Sequence, residues 1–386
     1  MFKKEKKQAI IIGGSLGGLF AGAALEKAGW SVTIYERSQH DLDSRGGGIV
    51  LQPDVVDVFR RAGVDTGKIE LGVGSRSRTV FRPDGSIQSK QIAPQTQTSW
   101  SLIYTTMRSA FRGTYLQGKV LKDLKQDEAA GTVTAFFEDG TQATADLLVG
   151  ADGNGSTVRH LLWPEAEPAY AGYLAWRGLV PEDEMPPLAR EGLHGDFAFA
   201  NSAGSHMLGY LVPGEGADTR PGHRLYNYVW YRVADDETLS DIMTDRDGRY
   251  RGFSMPEGKL AEKWVEHVYA DADALLPPQF REIVHATKEP FAQAIRDLTV
   301  DRMVKGRVVL LGDAAFIPRP HTAASTSKAA SNALTLGDAL EQYPDVDEAL
   351  AHWEPRQLAL GQALYRKGTA AGNHLLFHTT RNSRVG

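Results

Sequence analysis

Ala9-Ile10-Ile11-Ile12-Gly13-Gly14-Ser15-Leu16-Gly17-Gly18 is a run of four apolar residues followed by a six-residue stretch that contains four glycines. Such an unbroken apolar run suits a strand buried on both faces of a parallel sheet. Leu19 to Ala28 is rich in Ala, Leu and Glu and stops at Gly29, which predicts a helix with a C-terminal glycine cap. Ser31-Val32-Thr33-Ile34-Tyr35 is β-branched and aromatic, a second strand ending at Glu36. The whole is a βαβ unit of about 30 residues. Glycines at the first turn let backbone approach a pyrophosphate, whose charge then meets the unpaired N–H groups and positive dipole end of the helix. Glu36 lies 23 positions after Gly13, where an acidic side chain would accept hydrogen bonds from a ribose. Ser15 stands in place of the second glycine of G-x-G-x-x-G, and its hydroxyl could itself bond a phosphate. The same glycines would also serve an ordinary βα turn whose only role is helix–sheet packing.

The chain has 386 residues, room for two or three packed units at roughly 100 to 200 residues each. Hydrophobic residues at 42% and charged residues at 24% exclude a disordered chain and a membrane-embedded fold. A net charge of −5 argues against a phosphate-tracking nucleic-acid surface. With no cysteine there are no disulfides, thiolate nucleophiles, Cys-ligated zinc or iron–sulfur clusters, so redox chemistry must come from a bound organic cofactor. No metal site is expected. The basic N-terminus precedes an apolar run too short for a signal peptide, and no stretch approaches the roughly 20 apolar residues of a membrane span, which predicts a cytoplasmic protein.

Further along, Thr132 to Phe137 and Thr141 to Val149 are expected as two strands joined around Asp139-Gly140, the second running into Gly150-Ala151-Asp152-Gly153. From about Glu165 to Glu289, short aromatic segments separated by Gly, Pro and Asp predict a second, antiparallel sheet. Val308 to Leu311 is another buried-strand run; Gly312-Asp313 follows, and an Ala-rich helix is expected from about Thr322 to Leu340. Asp313 would serve equally as a helix cap. Val346 to Leu376 has helical spacing, one or two long helices.

Taken in order, these three glycine turns resemble the single-component FAD-dependent aromatic hydroxylases related to para-hydroxybenzoate hydroxylase. Tyr35-Glu36-Arg37-Ser38, Gly48-Ile49-Val50-Leu51-Gln52-Pro53, Tyr170-Ala171-Gly172-Tyr173, Trp176-Arg177-Gly178, Val300 to Val304 and Pro318-Arg319-Pro320-His321 are most similar to the branch that contains 2,6-dihydroxypyridine 3-hydroxylase. The resemblance implies an α/β fold: a discontinuous Rossmann-like FAD-binding domain with a second, mainly antiparallel β substrate domain and C-terminal helices. The expected boundaries are 1–164 and 290–345 for FAD binding, with 71–100 open to joining the substrate domain, 165–289 for substrate, and 346–386 for the helices. It further implies that Gly13, Ser15 and Gly18 cradle the FAD pyrophosphate, that Glu36 holds the adenosine ribose with Arg37 also among the cofactor-binding residues, and that Arg108 faces FAD. Asp152 belongs to a motif tied to FAD and NAD(P)H, Asp313 would bind the ribityl chain, and Pro320 would lie beside the isoalloxazine. N–H groups near Thr326 and Ser327 would face flavin N1 and O2. Thr322, Ala323, Ala324 and Ser325 replace the family's glycines, and Asn332 a frequent aspartate. Arg45 would neutralise pyrophosphate, meet the nicotinamide cofactor, or stand as an exposed loop cation.

For substrate, Tyr226, Tyr228 and Trp230 alternate with Asn227, Val229 and Tyr231, so one set faces a pocket or core and the other faces away. The pocket is expected between Pro320-His321 and a sheet carrying His206, Tyr210 and Tyr228. The implied activity is an NAD(P)H-dependent monooxygenase that hydroxylates a hydroxypyridine or phenol through a C4a-hydroperoxyflavin. A flavin oxidase or dehydrogenase of the same fold, acting without oxygen insertion, is the alternative. Expected partners are the small aromatic or heteroaromatic substrate, O2 and NADH or NADPH, without nucleic acid or membrane; a homodimer is one open assembly.

Overall fold

The computed structural model describes residues 6–40, 42 and 47–378. Gln8–Ile12 lies inside a six-stranded sheet, between Leu147–Gly150 and Ser31–Tyr35, parallel to both. Val308–Leu310 extends the sheet beyond Leu147–Gly150, and Thr114–Leu116 extends it beyond Ser31–Tyr35. The apolar run is unbroken because both faces are covered. Helix Leu16–Lys27 packs on one face with helix Ser325–Gln342 behind it, so close that a Cβ on Gly337 would lie 3.0 Å from Ala24. On the other, Phe137 of a small three-stranded sheet stacks on Tyr35 at 4.5 Å.

The expected single strand from Thr141 to Val149 is two. Gln142–Ala145 stays with Thr132–Phe137, whereas Leu147–Gly150 enters the parallel sheet. The break falls at Asp146, whose carboxylate accepts the Gln8 N–H at 2.7 Å and so pins the crossover to the start of the first strand.

A nine-stranded, mainly antiparallel sheet carries Ala169–Pro181, Leu225–Val233, Ser205–Val212 and Phe197–Ser202 in that spatial order; Val73–Phe81 and Ile87–Ser99 continue it. Successive side chains point to opposite faces. One face, with Trp176, Met207, Tyr226, Tyr228 and Trp230, packs on helices Glu262–Leu275 and Pro278–Ala286. The other, with Tyr173, Ala175, Val229 and Tyr231, packs against Leu375, Leu376 and Phe377.

The C-terminal stretch of the described residues is one helix, Val346–Asn373, followed by a π-type turn, His374–His378. Buried Glu354 anchors it, accepting the N–H groups of Met303 and Val304 at 2.8 and 2.9 Å and Arg302 Nε at 3.1 Å. Glu354→Ala leaves those N–H groups without their carboxylate and should lower unfolding free energy by roughly 2 kcal/mol or more, read as a reduced urea midpoint; an unchanged midpoint would show that the anchor contributes nothing.

Candidate active site

A cleft of about 710 Å³ opens along the ends of the parallel strands, lined by Gly13, Ser15, Gly17, Glu36, Arg37, Asp152, Gly153, Gly312, Asp313, Ser325 and Thr326, among others. Ser15 is the N-cap of helix Leu16–Lys27, and its hydroxyl makes no cap hydrogen bond among the described residues. The first-turn N–H groups and this hydroxyl are therefore turned toward whatever fills the cleft. Glu36 is buried; its two oxygens accept Gly14 N–H at 2.7 Å and Ser38 N–H at 2.8 Å, joining the glycine turn to the end of the second strand. Each oxygen keeps a second lone pair for a ligand. Tyr115 donates to the Gly14 carbonyl at 3.0 Å, and its hydroxyl would lie 2.1 Å from a Cβ at position 14, which is why glycine is needed there. The Arg108 guanidinium lies 4.2 Å from the Tyr115 ring, and its Nε is buried without a partner among the described residues.

Gly18 needs correction: it does not line the cleft. It is buried beneath the turn, where a Cβ would sit 1.9 Å from the Gly13 carbonyl oxygen; it sets helix–strand packing, and Gly17 takes its place at the cleft wall. Arg45 lies outside the described residues.

Across the cleft, Asp152 accepts the Ser156 hydroxyl at 2.5 Å and Val158 N–H at 3.1 Å, while burial pushes its carboxyl pKa up. Asp313 sits in a 3-10 turn rather than at a helix cap. It accepts from the Ser325 hydroxyl at 2.6 Å and from Lys328 Nζ at 2.9 Å. Burial works against the Asp313 anion, but the Lys328 charge and these two hydrogen bonds outweigh it and hold its pKa low. Lys328 is fully buried and also donates to the Phe316 carbonyl. Helix Ser325–Gln342 starts at Ala324 with no side-chain cap among the described residues. Thr326 lines the cleft; Ser327 turns its hydroxyl back to the Ala324 carbonyl at 3.2 Å.

His206, Tyr231, Tyr173 and His321 gather where the turn Pro320–Thr322 meets the second sheet. Ring centroids lie 5.6 Å apart for His206 and His321 and 4.7 Å apart for Tyr231 and His321, and the Tyr173 hydroxyl is 2.9 Å from His321 Nε2. Exposed Pro320 directly precedes His321 in its short turn. Tyr210 shares the face but lies about 13 Å along the strand from His206, beside Phe197 and Gly48. Tyr228 needs correction. It points to the opposite face, among Gly178, Thr287 and the aromatic core, and Tyr231 occupies the pocket side. Arg177 and Asn227, on the pocket face near Gly47 and Gly48, were not singled out as site residues; Arg177 Nε and Asn227 Nδ2 are buried donors without partners among the described residues. Alternation from Tyr231 would have found Asn227.

Among the described residues, two helix starts without a side-chain cap, a carboxylate with spare lone pairs and a buried guanidinium donor without a partner fit an adenine dinucleotide with a flavin end. A family model described as FAD binding domain-like matches residues 170–297. The chain is 36% identical over 359 residues to a 2,6-dihydroxypyridine 3-monooxygenase of Paenarthrobacter nicotinovorans, covering 92% of this chain and 88% of that one. It belongs to the FAD-dependent aromatic monooxygenases. The structure of 2,6-dihydroxypyridine-3-hydroxylase from Arthrobacter nicotinovorans superposes with a TM-score of 0.90 at 33% identity, covering 97% of this chain and 94% of that chain. A 6-hydroxynicotinate 3-monooxygenase of Bordetella bronchiseptica is 27% identical, covering 90% of this chain and 86% of its own length. FAD is the cofactor of this family, and the monooxygenase fold accounts for both sheets. Among the described residues, no helix is long and apolar enough to cross a membrane.

Burial lowers the pKa of His206 from 6.5 to about 4. Burial, with the charges of His206 and Arg319, lowers that of His321 from 6.5 to about 3. Both rings are neutral in the folded monooxygenase near pH 7. The unfolded chain takes up these protons around pH 6.5 and the folded chain only near 4 and 3, so their contribution to stability is complete above 6.5 and is lost as pH falls. The urea midpoint should drop between pH 6.5 and 4, with a shallower slope in His206→Gln; identical slopes would remove His206 from the account.

Proposed function

We propose that the protein hydroxylates a small electron-rich ring of the hydroxypyridine or phenol type, using O2 and NADH or NADPH, in the cytoplasm where reduced nicotinamide cofactors are kept. The observation that carries this reading is the pair of neutral histidines, His206 and His321, on an aromatic wall beside the loop that follows Asp313. The likeness to a protein named for 2,6-dihydroxypyridine supports a substrate of that kind.

In this reading residues 1–164 and 290–345 form the FAD-binding part, 165–289 faces substrate together with the hairpin within 71–100, and 346–386 forms the C-terminal helical part. Gly13, Ser15 and the following N–H groups hold the pyrophosphate; Glu36 and Arg37 take the adenosine ribose, and Arg108 approaches the dinucleotide from the side of Tyr115. Asp152 and Gly153 border the dinucleotide, Asp313 takes the ribityl chain, and the first-turn N–H groups at Thr326 and Ser327 face the pyrimidine edge of the flavin, where negative charge collects on reduction. Bound FAD supplies the activation of O2 by electrons drawn from the nicotinamide cofactor. The chain supplies orientation, a dry wall of Tyr173, Tyr231 and Phe199, and proton handling. His206 Nδ1 is 2.5 Å from Asn201 Oδ1, an acceptor only, so Nδ1 carries the proton and Nε2 is left to accept a hydrogen bond from the substrate's hydroxyl.

Reaction under labelled O2 with hydroxypyridines and NAD(P)H should place one labelled oxygen atom in the product, read by mass. Substrate oxidation without oxygen gain would move the protein to the oxidase or dehydrogenase class. Removing the Asp313 carboxylate should do two separable things. Asp313→Ala weakens FAD binding and also strands the buried Lys328 cation, costing roughly 3 kcal/mol. Adding Lys328→Met should restore the urea midpoint but not the FAD affinity; recovery of both would show that Asp313 serves only its lysine.

A further inference from the structure

Arg319 donates from Nε and one terminal nitrogen to Asp297, with the shortest contact at 2.7 Å, and from the other terminal nitrogen to Asn373 Oδ1 at 2.8 Å. This fixes the guanidinium beside Tyr173, whose ring centroid is 5.5 Å from it and whose hydroxyl converges with the same terminal nitrogen on Gly372, 2.7 and 3.1 Å from a Cβ placed there. The Tyr173 oxygen therefore faces a cation, an environment that favours its lone pairs toward Arg319 and its proton away. In that outward direction stands His321 Nε2, 2.9 Å away. Burial keeps the phenol protonated by raising its pKa. His321 Nδ1, at the other side of the ring, is buried with no partner among the described residues.

We propose that Tyr173 is a positioning residue that fixes the tautomer of His321: the Tyr173 hydroxyl donates to Nε2, Nδ1 carries the ring proton, and His321 meets a substrate oxygen as a hydrogen-bond donor. A buried donor left unpaired is costly, and an oxygen of the ligand relieves that cost. The two histidines then hold opposite parts, His206 Nε2 accepting a hydrogen bond and His321 Nδ1 donating one. A ring that satisfies both carries an ionisable hydroxyl and a second oxygen acceptor. The part played toward substrate rests on the hydroxylase reading above; the tautomer does not.

The test is long-range proton–nitrogen correlation NMR on the FAD-loaded enzyme labelled with 15N-histidine, with His321→Gln assigning the signal. The neutral ring of His321 should be protonated at Nδ1 in the wild type and become a mixture of tautomers in Tyr173→Phe. In the same variant KM for the hydroxypyridine turned over best should rise about tenfold, the effect of one hydrogen bond, with flavin content unchanged. A wild-type proton on Nε2 overturns the inference. So does a Tyr173→Phe enzyme in which either the tautomer or KM stays where it was. A wild type with the stated tautomer that oxidises its substrate without oxygen gain instead defeats the hydroxylase reading and leaves the tautomer standing.

Discussion

The Arg319–Asp297 ion pair, 2.7 Å at its shortest, joins two segments that belong to different sheets. One follows the last strand of the parallel sheet, and the other ends a strand of the nine-stranded sheet. Both are almost fully buried, and the guanidinium is matched by a carboxylate on one side and by an amide from the C-terminal helix on the other. Desolvating such a pair is expensive, so its worth lies less in net stability than in the cost of leaving either partner alone. Reciprocal backbone bonds between Leu298 and Ile317, at 3.0 and 3.3 Å, run alongside it. The turn with Pro320 and His321 is thereby set against the face that carries His206 and Tyr231.

Much of the cofactor side was legible because its chemistry is backbone chemistry. An apolar run, a glycine turn and an acidic residue at the next strand end leave little freedom in where Gly13, Ser15 and Glu36 can stand. Gly18 was misread because two demands, room for a ligand and room for the next turn of backbone, select the same residue type. The substrate side was harder. In Leu225–Val233 every residue from Tyr226 to Tyr231 is buried, so alternation separates two faces without saying which is the pocket. Only the packed partners decide it: helices cover Tyr228, whereas His206 and the C-terminal turn meet Tyr231. The run through Asp146 was read as one strand because nothing in its composition marks the passage between two sheets.

The loop from Thr322 to Ser325 shows how a departure from a glycine-rich pattern can be absorbed. Ala323 adopts φ 50°, a left-handed conformation that glycine would take more cheaply. Ser325 gains what a glycine lacks, a hydroxyl that bonds Asp313. Lys328, one turn further on, adds a buried charge. The aspartate thus sits in a network of its own, and the loop's geometry is carried partly by side chains rather than by small residues alone.

The cleft draws its walls from Ile12 at one end of the sequence to Ala329 at the other, and Val308–Leu310 pairs with Leu148 to Gly150 across some 160 residues. During synthesis the first βαβ unit leaves the ribosome long before its missing neighbour exists. For most of that time Leu147–Gly150 is an apolar edge awaiting a partner, the kind of surface chaperones shield. The dinucleotide has no complete seat until Ala329 has emerged, so acquiring the cofactor follows the synthesis of both sheets.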